Sequence, residues 1–360
     1  MSSSDPLKAA GLPRPSGGGR LRMEDTDMDL MQQIYAKAKE NPQRVIFPEA
    51  TEEKILQAAF EAQSQGYCKA TLIGVPDEIK AAAEQFGVDI SGMDIYDNTD
   101  EAKNEAAFER YIAEYSDMLS LKSLKRKSKD PMYTAMVLQA IGDYDVTFAG
   151  LAHSTGDVIL AATTIIGLKD GIDTSSSTGL AIIPGYEGSE GQYLLFGDSA
   201  VCANPSPAER ASIAISACET AKELLGWDPR CALLSFSTDG SMEHEMVDVI
   251  RESVRIANER RPDLAIDGEF QLDAAIDPNV AAKKVKRESK VAGKANILIW
   301  PDINVGNIGV KLVQFFAKAD APGPFLQGFK KIAADCSRSA PVSELVGNIV
   351  MCCVRAANAK

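Results

Sequence analysis

Histidine is almost missing from this chain: His153 and His244 are the only two in 360 residues. That scarcity argues against a histidine-rich metal site and leaves little material for a serine–histidine hydrolase triad, so no metal site is expected. Either histidine reads as a surface or satisfied structural residue. The seven cysteines are dispersed, odd in number and without a CxxC spacing, which suggests neither a disulfide framework nor a zinc site. A reducing cytoplasm fits them best. Basic charge is also short. With 38 Lys and Arg against 51 Asp and Glu, the formal net charge is −13, which opposes general binding to nucleic acid or to an anionic membrane surface. Any anionic ligand must therefore meet a local positive pocket. No apolar run approaches the roughly 18 residues of a membrane span, and no charged segment followed by a hydrophobic core marks a secretion signal. The glycines form no GxGxxG fingerprint within a βαβ unit, and no repeat of fixed period appears. A dinucleotide site is not indicated.

What is present is the composition of an ordinary soluble protein, 45% hydrophobic and 25% charged, at a length that favours two domains. Residues 1–22, with SSS, PRPSGGG and almost no bulky apolar residue, read as a flexible leader or tag, and Met23 as a plausible natural start. Beyond the leader the pattern is βαβα: a strand over 45–47, a helix over 52–63 with Thr51 at its start, a strand over 70–74 and a helix over 77–86. The strand runs are apolar without alternation, as expected of parallel strands covered on both faces by helices. A second series follows, with strands over 194–196, 232–236, 264–266 and 297–300 and helices over 207–225 and 243–260. Ser206-Pro207-Ala208-Glu209 is a capping box with proline at the first helical position. Met246, Val247, Ile250, Val254 and Ala257 mark the buried face of the following helix.

Residues 325–346, FLQGFKKIAADCSRSAPVSELV, carry the densest chemistry. Val342, Leu345, Val346, Ile349, Cys353 and Val354 recur at helical spacing, with Pro341 and Glu344 in the first turn. Asp335, Ser337, Arg338 and Glu344 can then share one small region. On these residues alone, an anion-handling site and an N-terminal cap beside a surface arginine are equally open.

The segment resembles the C-terminal signature of the phosphate acetyltransferases (phosphotransacetylases), a leucine–glutamine–glycine followed by asparagine–aspartate–leucine–serine–arginine–glycine. Here it stands as Leu326-Gln327-Gly328 and Ala334-Asp335-Cys336-Ser337-Arg338-Ser339. The resemblance continues, in the family's order, through RVIFP at 44–48, FGDSAV at 196–201, LSFST at 234–238, DGEFQLDAA at 267–275 and PDINVGN at 301–307, and so covers roughly residues 43–357.

That resemblance implies an α/β fold: two three-layer α/β domains with mostly parallel sheets facing a cleft, in an isocitrate/isopropylmalate dehydrogenase-like architecture. The first domain is expected at 23–168 plus 334–360, the second at 169–333, and the protein is expected to be a cytoplasmic homodimer. It further implies reversible transfer of an acetyl group between acetyl phosphate and coenzyme A. Coenzyme A and acetyl phosphate or phosphate are then substrates, and no permanently bound cofactor is expected.

By the same resemblance Glu344 is the base for the thiol, while Arg338 and Ser337 stabilise charge on the carbonyl and the departing phosphate. Asp335 either orients Arg338 or caps the nearby chain. Ser154 and Thr155 either donate hydroxyls to phosphate or cap a helix beginning near Asp157. Gly306 and Asn307 open a helix whose N–H groups hold an anion, or form a turn that needs glycine. Gln327 and Gly328 allow close approach to coenzyme A, or serve a strand-end turn.

Two positions depart from the family pattern: Glu344 stands where an aspartate is usual, and Leu160 where an arginine is usual. The basic run at 122–129 either replaces that missing charge or forms a solvated face. Propionyl or butyryl transfer, and a non-catalytic relative that binds coenzyme A or its thioester, are the alternatives these departures leave. An oxidoreductase, suggested by architecture alone, lacks the dinucleotide fingerprint.

Overall fold

A computed structural model describes residues 29–115 and 118–359. The expected leader, residues 1–22, lies outside the described residues, as does Met23. Two sheets organise the chain. The first is entirely parallel, in the order β11-β4-β1-β2-β3, where β1 is Gln43–Phe47, β2 Cys68–Gly74, β3 Asp94–Asp97, β4 Val146–Phe148 and β11 Ile332–Ala334. The second has six strands in the order β10-β5-β6-β9-β7-β8, comprising β5 Ser176–Ile182, β6 Tyr193–Gly197, β7 Arg230–Leu234, β8 Ala265–Phe270, β9 Ile297–Ile299 and β10 Phe325–Gln327. Its β5 is antiparallel to both neighbours, and the other pairings are parallel. The mostly parallel α/β reading therefore holds in both sheets. Central strands such as β1 and β4 are buried apolar runs because helices cover both faces.

Local signals placed many helix ends. Ser206 caps the helix Pro207–Thr220 with the expected reciprocal bonds to Glu209, and a single π-helical turn, Ala221–Leu225, extends it. Thr51 does not cap the next helix upstream, which starts at Glu53 with Glu52 in the N-cap position. Strand β7 ends at Leu234, two residues short of the expected stretch, and Phe236 emerges to solvent. Met246, in the first turn of the helix Glu245–Arg260 that His244 caps, is exposed rather than buried and borders an open cavity with Phe236 and Leu272.

The helix Val342–Asn358 buries every residue from Leu345 to Arg355 rather than one stripe. It packs against the helices Leu30–Glu40 and Glu53–Ser64 and against β11. Arg355 donates to the Leu326 carbonyl at 2.9 Å, and Asn358 donates to the Glu223 carbonyl, so this helix ties strand β10 and the π turn to the first sheet. The chain crosses to the second sheet before β5 and returns between β10 and β11. Because β11 pairs with β4, the chain is back in the first sheet by Ile332.

Candidate active site

In an open parallel sheet the loops at the carboxyl ends of the strands gather ligand-binding residues. Three adjacent strands of the first sheet, β11, β4 and β1, end side by side and release Asp335–Arg338, Gly150–Thr155 and Glu49, respectively. Glu49 is almost wholly buried, 4% exposed. Its carboxylate accepts from the backbone N–H groups of Gly150 (3.1 Å), Leu151 (2.7 Å) and His153 (2.9 Å), and meets His153 Nδ1 at 2.8 Å. The other ring nitrogen of His153 meets Asp130 at 3.2 Å. Burial disfavours the charged ring, but the bonds and charges of Glu49 and Asp130 win, and the His153 pKa is raised. His153 is thus a satisfied structural residue, as its scarcity suggested.

The loop so held presents Thr155, whose hydroxyl donates to Asp335 Oδ2 at 2.6 Å. Gly150 has φ +119°, and a Cβ there would stand 2.4 Å from Asp335 Oδ1, so only glycine lets the two loops close together. Burial pushes the Asp335 carboxyl up to about 6, against the Thr155 hydrogen bond and with the Glu49 charge adding to the rise. Lys54 donates to the carbonyls of Arg338 (3.3 Å) and Ala340 (2.9 Å) and so pins the turn that carries the arginine. Arg338 itself is exposed, makes one long contact to the Ala152 carbonyl at 3.5 Å, and has no carboxylate partner among the described residues.

Three cavities meet at Gly323. One of about 440 Å³ is lined by His153, Ser154, Thr155, Asp335, Ser337 and Arg338. A second of about 410 Å³ adds Ser199, Asn307, Lys311 and Gln314 from the second-sheet side, with Ser337 and Ser339 opposite. The third, about 600 Å³, holds Glu344. Glu344 therefore lies in the cavity adjoining the one that holds Ser337 and Arg338, and Asn348 lines both.

The other expected residues divide. Ser154 reaches the first cavity, but its hydroxyl is engaged in a capping box with Asp157 on the helix Thr155–Ile165. Gly306 does not open its helix: Ile303–Phe316 starts three residues earlier, capped by Asp302, and the Gly306 N–H already bonds the Asp302 carbonyl. A Cβ on Gly306 would stand 2.3 Å from the Asp198 carbonyl, so this glycine is required by helix-to-loop packing. Asn307 on the same helix does line the second cavity.

Gln327 and Gly328 lie outside all three cavities. Gln327 is buried, bonded to Ser176, Ile213 and Thr220, and Gly328 occupies a φ +93° turn tight against the Thr174 carbonyl. The basic run, on the helix Leu121–Lys127 and just beyond it, lines none of these three cavities: Lys125 pairs with Glu105 and Lys127 lies over the Tyr133 ring. Leu160 is 56% exposed and brings no cation. Cys336, beside the signature, is buried, and its thiol is held well above its usual range by desolvation and by Glu49 and Asp335, so it is inert. Among the described residues no group of three or more His, Cys, Asp or Glu could hold a metal ion, and no helix is long and apolar enough to cross a membrane.

Sequence reasoning missed Glu49, Lys54 and Asn348. The signal for Glu49 was its position two residues after the β1 segment, at a strand's carboxyl end.

Comparisons with known proteins agree on one group. Residues 29–353 match the family described as "Phosphate acetyl/butaryl transferase". The phosphate acetyltransferase of Clostridium acetobutylicum is 40% identical over 330 residues, 91% of this chain and 99% of the relative. A solved phosphotransacetylase from Streptococcus pyogenes superimposes with a TM-score of 0.83 at 31% identity, over 93% of this chain and 99% of that one. A putative 4-hydroxythreonine-4-phosphate dehydrogenase from Salmonella typhimurium matches at 12% identity and a TM-score of 0.51, covering 87% and 99%, which shows a shared dehydrogenase-like fold alone.

The raised Asp335 pKa has a stability consequence. The folded state prefers the protonated acid, so it binds more protons than the unfolded chain between about pH 4 and 6 and loses stability as pH rises through that window. Asp335→Asn removes this dependence. Urea denaturation at a series of pH values should show the variant gaining about 2–3 kcal/mol on the wild type between pH 4 and pH 7; a constant difference would refute the assignment.

Proposed function

Because the chain belongs to the phosphate acetyl/butaryl transferase family, we propose that its cleft performs reversible acetyl transfer between acetyl phosphate and coenzyme A. The observation that carries this reading is Arg338. It is a solvent-facing guanidinium, fixed at the backbone by Lys54 and without a carboxylate partner among the described residues, in a cavity it shares with the hydroxyls of Ser337 and Thr155. In a chain of net charge −13, such a cation is a local site for phosphate. Lys311 faces the adjoining cavity from the opposite wall. These two cations offset the absence of one at Leu160.

The chemistry follows from the substrates. A thiol of pKa near ~8.5 is mostly protonated at neutral pH, and Glu344 takes its proton. The thiolate sulfur then forms a bond to the acetyl carbonyl carbon. The carbon–oxygen bond to phosphate breaks, and its electron pair leaves on the phosphate oxygen. Negative charge gathers on the carbonyl oxygen and the leaving phosphate, where Arg338 and the Ser337 hydroxyl stabilise it without rearranging. Asp335, through Thr155, joins the two loops that bracket the phosphate. The longer stem of Glu344, relative to aspartate, reaches the thiol from the adjoining cavity. Coenzyme A is a substrate and not a resident group, and the cysteine pattern supports a cytoplasmic setting.

We further read the two sheets as the cores of two domains, divided near residue 168 with the return before β11, and the protein as a homodimer. The helix Ile303–Phe316 exposes Val305, Ile308, Leu312, Phe315 and Phe316 in one stripe, the last two at 72% and 82%. Val305 also borders an apolar cavity of about 350 Å³ lined by Phe236, Met246, Leu272 and Trp300. A contiguous apolar face of this kind suits a self-complementary, two-fold contact.

Two measurements test these readings. Purified protein given coenzyme A and acetyl phosphate should form thioester, and Arg338→Ala should lower kcat/KM about 10²–10³-fold; equal rates would sink the reading, while propionyl and butyryl phosphates rank the acyl groups. In sedimentation velocity the wild type should run as a dimer and the double variant Phe315→Asp, Phe316→Asp as a monomer. Unchanged sedimentation would place the contact elsewhere.

A further inference from the structure

Two buried acceptors beside the cleft, Asp335 Oδ1 and Asn348 Oδ1, have no hydrogen-bond partner among the described residues. Asn348 is the less expected. It is 5% exposed, yet lines both the cavity of Arg338 and the cavity of Glu344. Leaving a buried amide oxygen unpaired costs about 1–3 kcal/mol, and this one borders the cleft, where an incoming donor can pair it. A carboxamide offers an acceptor and donors in one plane, and the group that complements it is a secondary amide, with its own N–H and C=O. Acetyl phosphate has no N–H. The pantetheine arm of the thiol substrate carries secondary amides, the first of them two methylenes from the sulfur.

The helix supplies a matching length. Glu344 and Asn348 are four residues apart on the helix Val342–Asn358 and so face the same way, about one 5.4 Å turn apart. An amide seated on Asn348 leaves its thiol within reach of Glu344. Met31, Tyr35, Ile182 and Met351 give the Glu344 cavity an apolar part that suits the methylenes of such an arm, beside the polar Gln314, Asp320 and Ser343.

We propose that Asn348 selects the thiol substrate by hydrogen-bonding the first amide of its pantetheine arm, which places the sulfur at Glu344. The inference rests on the acyl-transfer reading above. Its test varies coenzyme A and acetyl phosphate separately for the wild type, Asn348→Ala and Asn348→Leu, and titrates each protein with dethio-coenzyme A by calorimetry. The expected result is a KM for coenzyme A raised about tenfold in both variants, an unchanged KM for acetyl phosphate, and a dethio-coenzyme A Kd weakened by the same factor. Asn348→Leu, which removes an unpaired buried polar group, should melt at or above the wild-type temperature, separating lost recognition from lost folding. Wild-type KM for coenzyme A in both variants, or a rise confined to acetyl phosphate, would overturn the proposal. If the wild type shows no turnover, the transferase reading fails, and the calorimetry alone decides on Asn348: dethio-coenzyme A binding that weakens in the variants upholds it, while equal or absent binding refutes it.

Discussion

One buried carboxylate holds the cleft in shape. Glu49 accepts three backbone N–H groups from the turn after β4 and a ring nitrogen of His153. Without it, the buried Gly150 N–H and the half-buried N–H groups of Leu151 and His153 would lose their acceptor, at a cost of up to about 1–3 kcal/mol for the buried one. With it, Gly150 lies hard against Asp335, Thr155 reaches the Asp335 carboxyl, and the β4 and β11 loops become one surface. The strand order β11-β4-β1 makes this possible, since the three segments leave the sheet as neighbours. Lys54, in the first turn of the helix that follows β1, adds the second anchor by gripping the Arg338 and Ala340 carbonyls. Both anchors come from the first βα unit: Glu49 holds the mid-chain turn after β4, and Lys54 holds the motif near the end of the chain.

The arrangement divides charge by role. Glu49 is enclosed and fully bonded, and its field adds to burial in keeping Asp335 protonated to higher pH. Arg338 is left outward and without a carboxylate partner among the described residues, where its charge is available to a ligand. An arginine paired to a carboxylate in the free protein would have to give up that pair before meeting phosphate. A guanidinium whose one contact is a long bond to the Ala152 carbonyl has no such competitor.

Much of this was legible in sequence, and the exceptions share a cause. Parallel strands, the Ser206 cap and the C-terminal helix follow from local periodicity, which the chain carries within a few residues. Motif matching brought Ser337, Arg338 and Asp335 to attention, and the structure gathers them. Motifs do not separate a residue that touches ligand from one that holds the fold. Gln327 is bonded within the core, and Gly328 and Gly306 sit where the backbone is crowded, as the 2.3 Å approach of a Gly306 Cβ to the Asp198 carbonyl shows. Glu49 and Lys54 were invisible for the opposite reason, since their partners lie 101 or more residues away. Met246 was misread because an amphipathic stripe does not reveal that its edge faces an open apolar cavity instead of the core.

The most direct test of the account is Glu49→Gln, followed by steady-state acetyl transfer and thermal melting. The substitution keeps the shape but turns an NH₂ toward backbone N–H groups that now donate. Dependence of the cleft on this carboxylate predicts kcat/KM reduced about tenfold or more together with a lower melting temperature. Wild-type turnover at wild-type stability would contradict it.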